Sequence, residues 1–121
     1  MQVHQYEKLT VWQKSMDLVE EIYKLTDKFP KSELYGLVSQ MRRSAISIPS
    51  NITEGSRRKT SKDFGQFLAI AFGSGGELET QNKIALRLNF LNEPEYRTIE
   101  TLLQEVMKML NKLIQYNQNK V

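Results

Sequence analysis

Six cations fall in a stretch of chain that holds a single acid. Arg42, Arg43, Arg57, Arg58, Lys59 and Lys62 stand against Glu54, so the window from 42 to 62 carries +5 while the rest of the chain sums to −2, for a net charge of +3. Clustered guanidinium and ammonium groups bind phosphate oxygens, arginine in bidentate fashion, and several at backbone spacing make an electrostatic nucleic-acid site. Arg43, Ser50 and Arg57 follow one another in steps of seven, which keeps them on one side of a helix, with Ser47 and Glu54 beside them. Two other readings stand next to that one. In one, the arginines serve an ion-pair network between subunits, Arg43 meeting Glu77 or Glu79 of a neighbour; in the other, they form a solvated face on which Glu54 and Arg58 pair at i,i+4, worth about 0.3–0.5 kcal/mol.

A second polar set, Ser47, Ser50, Asn51, Glu54, Ser74, Glu77 and Gln81, has residue types that can do acid–base work or hold a metal. Bundles that hold two metal ions need a histidine three residues after a glutamate, and the only histidine is His4. Structural hydrogen bonding is therefore the expected role of Ser47, Ser50, Asn51 and Glu54, with Ser50 and Asn51 satisfying backbone groups freed by Pro49. With no cysteine there is no thiol nucleophile, disulfide or thiolate metal site. We expect no enzyme activity, no metal and no cofactor. His4 is expected in an exposed N-terminal arm; Trp12, Tyr6, Tyr23 and Tyr35 are expected in the core or an interface, and no aromatic is interleaved with residues 57–62 to stack a base.

The elements that must position these groups are helical. The chain of 121 residues is the size of one domain, no apolar run approaches the roughly 20 residues that span a bilayer, and no signal segment follows the N-terminus, so a cytoplasmic location is expected. Apolar residues recur at helical spacing in four segments, about 10–28, 33–57, 61–90 and 94–116. Thr10 is a cap candidate for the first, and Phe29-Pro30 ends it. Ser32 is a cap candidate for the second, whose stripe of Leu34, Val38, Met41, Ala45, Ile48 and Ile52 does not reset at Pro49. That continuity predicts one long helix kinked near the proline, although an interior proline costs about 3 kcal/mol. Thr60 or Ser61 caps the third, with Asp63 in its first turn. Asn92 caps the fourth ahead of Pro94, and a polar tail frays from Asn117. Short links between long helices predict an all-α, up-down antiparallel four-helix bundle in a single domain.

The third segment carries more than one apolar face. Phe64, Phe67, Leu68, Ala71, Leu78, Ala85 and Leu86 make a core stripe. Ile70, Ile84 and Leu88, with Gly73 and Glu77, lie on another side. A second stripe, together with mid-helix Gly73, Gly75 and Gly76 at about 1 kcal/mol each relative to alanine, predicts close packing against a neighbour and a self-association surface.

The block FPKSELYGLVSQMRRSAISIPSNITEGSRR, followed by FLAIAFGSGGELETQ, resembles the bacterial four-helix-bundle proteins of the 23S rRNA intervening-sequence family, from LTVWQKS at Leu9–Ser15 through the last helix. The resemblance implies a ring-like homopentamer. It also implies kinship with accessory factors of diversity-generating retroelements, in which a basic pentamer engages nucleic acid and a reverse transcriptase. Two functions follow as expectations: low-specificity binding of RNA or DNA through the six cations, or a scaffold that recruits a nucleic-acid enzyme such as a reverse transcriptase without binding nucleic acid strongly itself.

Overall fold

The computed structural model describes Tyr6 and residues 9–119, so His4 lies outside the described residues. The described residues form four α-helices, α1 Thr10–Thr26, α2 Ser39–Ser56, α3 Ser61–Arg87 and α4 Glu93–Gln118, and no strand occurs among them. α1 packs on α2, α2 on α3, α3 on α4 and α4 back on α1, closing a circuit around one core. Leu18, Ile22, Met41, Ile48, Ile52, Leu68, Leu78, Ile99, Leu103 and Leu110 are fully enclosed in it.

The clearest helix ends are written locally. The Thr60 hydroxyl accepts the Asp63 amide at 3.1 Å, and Asp63 places its charge in the first turn of α3. Asn92 Oδ1 accepts the Glu95 amide and Glu95 Oε1 accepts the Asn92 amide, both at 2.9 Å, a reciprocal capping box that opens α4. Between these helices α3 closes through Asn89 at φ 63°, with the Phe90 amide returning to the Ala85 carbonyl at 2.9 Å and the Asn89 amide to Leu86 at 3.1 Å. That Schellman geometry wants a residue tolerant of left-handed backbone, and asparagine is one.

Several expectations are corrected. Thr10 is already the first helical residue and makes no cap; Leu9 holds the cap position with no side-chain bond. Ser32 does not cap α2. A 3₁₀ turn over Lys31–Glu33 leads into a π-turn over Leu34–Val38, where the Glu33 carboxylate accepts the Leu37 amide at 3.4 Å. The departure from helical geometry falls at Gly36 (φ −112°, ψ −110°), the residue with the weakest helix preference in the segment. The chain kinks at Gly36, and Leu34, which precedes the kink, lies off the core stripe at 45% exposed. α2 itself runs unbroken through the buried Pro49. α3 ends at Arg87, three residues short of the expected limit, and α4 continues to Gln118. Asn117 does not fray: it is buried, and its amide donates to the Ser61 carbonyl at 2.7 Å, tying the end of α4 to the start of α3 beside Gly65.

The glycines of α3 divide. A Cβ at Gly75 would collide with the sulfur of Met107, so this glycine lets α4 come close within the chain. Gly73 and Gly76 face open space, with no heavy atom within 4 Å of an added Cβ. Gly55, at the end of α2, seats Phe64 and Phe67 of α3, each 2.8 Å from the position a Cβ would take.

Candidate nucleic-acid interface

Followed along α2, the six cations fall into two groups. Arg43 and Arg57 share a side of the helix but are fourteen residues apart, about 21 Å at 1.5 Å per residue. Spacing by sevens sets direction, not proximity.

At the α2–α3 turn, Arg57, Arg58, Lys59 and Lys62 are all exposed. Arg58 Nη2 lies 2.6 Å from Glu54 Oε2, an i,i+4 ion pair, and its guanidinium covers the Phe67 ring at 4.7 Å. Arg57 lies 5.9 Å from the Tyr6 ring centroid. Among the described residues no carboxylate is within ion-pair distance of Arg57, Lys59 or Lys62. Among the described residues the turn thus leaves three cations without an ion-pair partner and pairs the fourth with Glu54, while Asp63 follows Lys62 in the first turn of α3.

The other group sits in an open groove of about 680 Å³ on the outer side of α2, towards α1. Arg42 is half-buried there. Its Nε donates to the Thr26 hydroxyl at 3.0 Å, and its guanidinium lies 4.4 Å over the Tyr23 ring, so α1 fixes this side chain in place. Arg43 is exposed and, among the described residues, has no carboxylate partner. The aromatic neighbours were missed from sequence. Tyr35 is 94% exposed and Tyr23 40%, so neither belongs to the core.

The polar set is structural in its contacts. Ser47 and Ser74 hydroxyls are 2.7 Å apart across α2 and α3, and the Asn51 amide donates to the Ser47 carbonyl at 2.8 Å and hydroxyl at 2.9 Å. This corrects the role expected of Asn51: the carbonyl freed by Pro49 is that of Ala45, four residues back, and Asn51 bonds to Ser47. Ser50 is exposed on the groove wall. Glu54 and Glu77 do not meet. Partners on α3 run backwards as α2 runs forwards, Ser47 with Ser74 and Gly55 with Phe64 and Phe67, so Glu54 lies level with the start of α3 and Glu77 past its middle. Among the described residues Gln81 Oε1 is buried without a hydrogen-bond partner, and so are both amide atoms of the fully enclosed Asn82.

The two carboxylates that do come together lie elsewhere. Gln104 Nε2 donates to Glu79 Oε2 and Glu100 Oε1, both at 2.9 Å, across α3 and α4. Burial lifts the Glu100 carboxyl above its ordinary value; Gln104 opposes the shift, Glu79 adds to it and Lys83 moderates it. Burial, then Glu100, Glu79 and Glu93, raise the nearby Tyr96 phenol. Among the described residues no three Asp, Glu, His or Cys side chains gather as metal ligands, and no helix is long and apolar enough to cross a membrane.

The residues expected at a subunit interface lie on an uncovered face of α3. Ile70 is 52% exposed, Ile84 41% and Leu88 53%, with Gly73 and Glu77 exposed among them.

A family model described as "23S rRNA-intervening sequence protein" matches residues 7–112. A solved structure from Bacteroides thetaiotaomicron, a protein of unknown function of the S23 ribosomal protein family, superposes with a TM-score of 0.81 at 25% identity, covering 87% of this chain and 95% of that one. No curated protein matches the chain.

Proposed function

The chain belongs to the 23S rRNA-intervening sequence protein family, and from that premise we propose that it is a non-enzymatic, self-associating protein that binds RNA or DNA electrostatically with little sequence preference. The observation that carries this reading is the α2–α3 turn, where Arg57, Lys59 and Lys62 stand exposed with no carboxylate partner among the described residues. Cations held that way gain most from displacing counterions on a phosphate backbone. Arg43 adds a second contact further along α2. The ribosomal descriptions of the family and of its solved relative make structured RNA the first ligand to try.

The arrangement we propose is an up-down antiparallel bundle. In three of the four helix contacts partner numbers fall as helix numbers rise: Trp12 with Thr53 and Thr26 with Arg42, Ser47 with Ser74 and Gly55 with Phe67, Gly65 with Asn117 and Glu79 with Gln104. We further propose that copies associate through Ile70, Gly73, Glu77, Ile84 and Leu88, as the pentameric ring the family resemblance implies, in the cytoplasm. Repetition of a weak basic site around such a ring would raise avidity.

The test is fluorescence anisotropy of labelled single-stranded DNA, duplex DNA and structured RNA at two salt concentrations. Binding that weakens steeply with salt, and loses both affinity and slope when Arg57, Arg58 and Lys59 become glutamine, supports the reading. Unchanged binding by that variant removes the turn from the site. Absence of binding to all three ligands favours the scaffold reading, in which the exposed apolar face and the arginines serve a protein partner such as a reverse transcriptase.

A further inference from the structure

We infer that the groove on the outer side of α2 is a binding site for single-stranded nucleic acid, in which an unpaired base stacks on Tyr35 and the adjoining phosphate is held by Arg43. The inference deepens the electrostatic reading above and rests on it. An aromatic ring left 94% in water by its own chain is unusual, because burying such a ring is worth more than exposing it. Here the ring stands just before the kink at Gly36, at the edge of a groove whose wall includes Leu34 and Ile46, both partly exposed.

The groove is chemically one-sided. It has two guanidinium groups and no acidic residue in its lining. Arg42 is committed to Thr26 and to the face of Tyr23, which makes it a fixed positive surface. Arg43 is exposed and has no carboxylate partner among the described residues, so its donors are available to a phosphate. Ser47 and Asn51 stand beyond it as polar contacts already ordered by their own hydrogen bond. An apolar wall with an exposed ring and paired arginines selects an anionic ligand that also offers a flat apolar surface. A single strand has both; a duplex keeps its base faces stacked and out of reach.

The experiment uses the full chain with a labelled oligouridine and a labelled duplex, comparing wild type, Tyr35→Ala, Tyr35→Phe and Arg43→Gln. We expect Tyr35→Ala to weaken oligouridine binding about tenfold with its salt slope intact, since stacking is uncharged. Tyr35→Phe should restore binding, and Tyr35→Ala should leave duplex binding unchanged. Arg43→Gln should weaken oligouridine binding and lower the salt slope by about 0.7. Tyr35 is 94% exposed, so its truncation should leave the fold intact, and an unchanged melting curve checks this. If Tyr35→Ala binds oligouridine as wild type does while salt-dependent binding persists, the groove inference fails and the electrostatic reading survives. If oligouridine and duplex weaken equally, the ring is not reading unstacked bases and the inference also fails. A change in sedimentation alone would make the groove a subunit contact and overturn it. No salt-dependent binding of any nucleic acid would overturn both.

Discussion

Replacing Gly55 by alanine should destabilise the domain, although alanine is the better helix former. The added Cβ would stand 2.8 Å from Phe64 Cδ1 and 2.8 Å from Phe67 Cβ, roughly 0.7 Å inside ordinary carbon–carbon contact. The Phe64 ring is buried, and Phe67 Cβ is bonded directly to the backbone of α3, so no rotamer change clears it. α2 and α3 must part locally. Overpacking of this kind costs about 1–3 kcal/mol, and the propensity gain from glycine to alanine returns at most about 1 kcal/mol, less here because Gly55 is next to the last helical residue. The net expectation is a loss of about 1–2 kcal/mol, a fall in Tm of about 4–8 °C for a domain of this size. Gly76→Ala is the matched control. It meets no atom within 4 Å, so only the propensity term acts, and stability should rise by up to about 1 kcal/mol. Thermal unfolding followed by circular dichroism, at one fixed protein concentration because self-association shifts Tm, measures both. A Gly55→Ala protein as stable as wild type would refute the claim that this glycine sets the α2–α3 distance. A destabilised Gly76→Ala would mean that its face is packed in solution.

Other perturbations have expected outcomes of their own. Asn92→Ala removes the side-chain half of the capping box and should cost about 0.5–2 kcal/mol in urea unfolding, where Asn92→Asp should be nearly neutral. Thr53→Val leaves the Trp12 indole N–H without its 3.1 Å acceptor and should cost about 0.5–1.5 kcal/mol with a shift in tryptophan emission. Glu100 has a folded-state pKa raised above 4.5, so it binds its proton more tightly when folded and its favourable contribution is lost as pH rises through that raised value. Glu100→Gln should therefore be more stable than wild type at neutral pH, and the advantage should shrink as pH falls towards 4.5; an advantage that grows in acid would reverse the assignment. Ile84→Glu should lower the sedimentation coefficient at micromolar concentration without loss of helix content, since Ile84 is 41% exposed in the single chain; unchanged sedimentation removes it from the interface.

What could be read from residue types differs along the chain for physical reasons. The stripe of α4 is legible because Ile99, Leu103, Val106 and Leu110 recur at helical spacing with charged residues between them, and all four are fully buried. Asn92 and Thr60 are legible as caps because their bonds close within three residues. The entry to α2 is not, since Leu34 continues the stripe in sequence and only the kink in the backbone at Gly36 separates it from the core face. Asn117 is equally hidden: its acceptor, the Ser61 carbonyl, lies 56 positions away. Of the candidate site, the cations themselves were visible, but the division into a turn cluster and a groove depends on helix length. The part played by Tyr35 depends on the same kink at Gly36 that takes Leu34 off the stripe.

The corner between α3 and α4 bears on the order in which the domain assembles. It is closed by a Schellman return at Ala85–Phe90 and reopened by a capping box at Asn92–Glu95, all bonds formed among residues within a few positions of one another. Loop closure across so short a link costs little chain entropy. The N-terminal half lacks such aids: α1 has no side-chain cap and α2 is entered through a π-turn. The C-terminal hairpin is thus the natural nucleus, docking α3 on α4 before α1 and α2 close the circuit. Substitutions at the corner should slow refolding, whereas those in α1 should chiefly hasten unfolding. A nascent chain would then wait for its last helix before the first two find a surface to pack against.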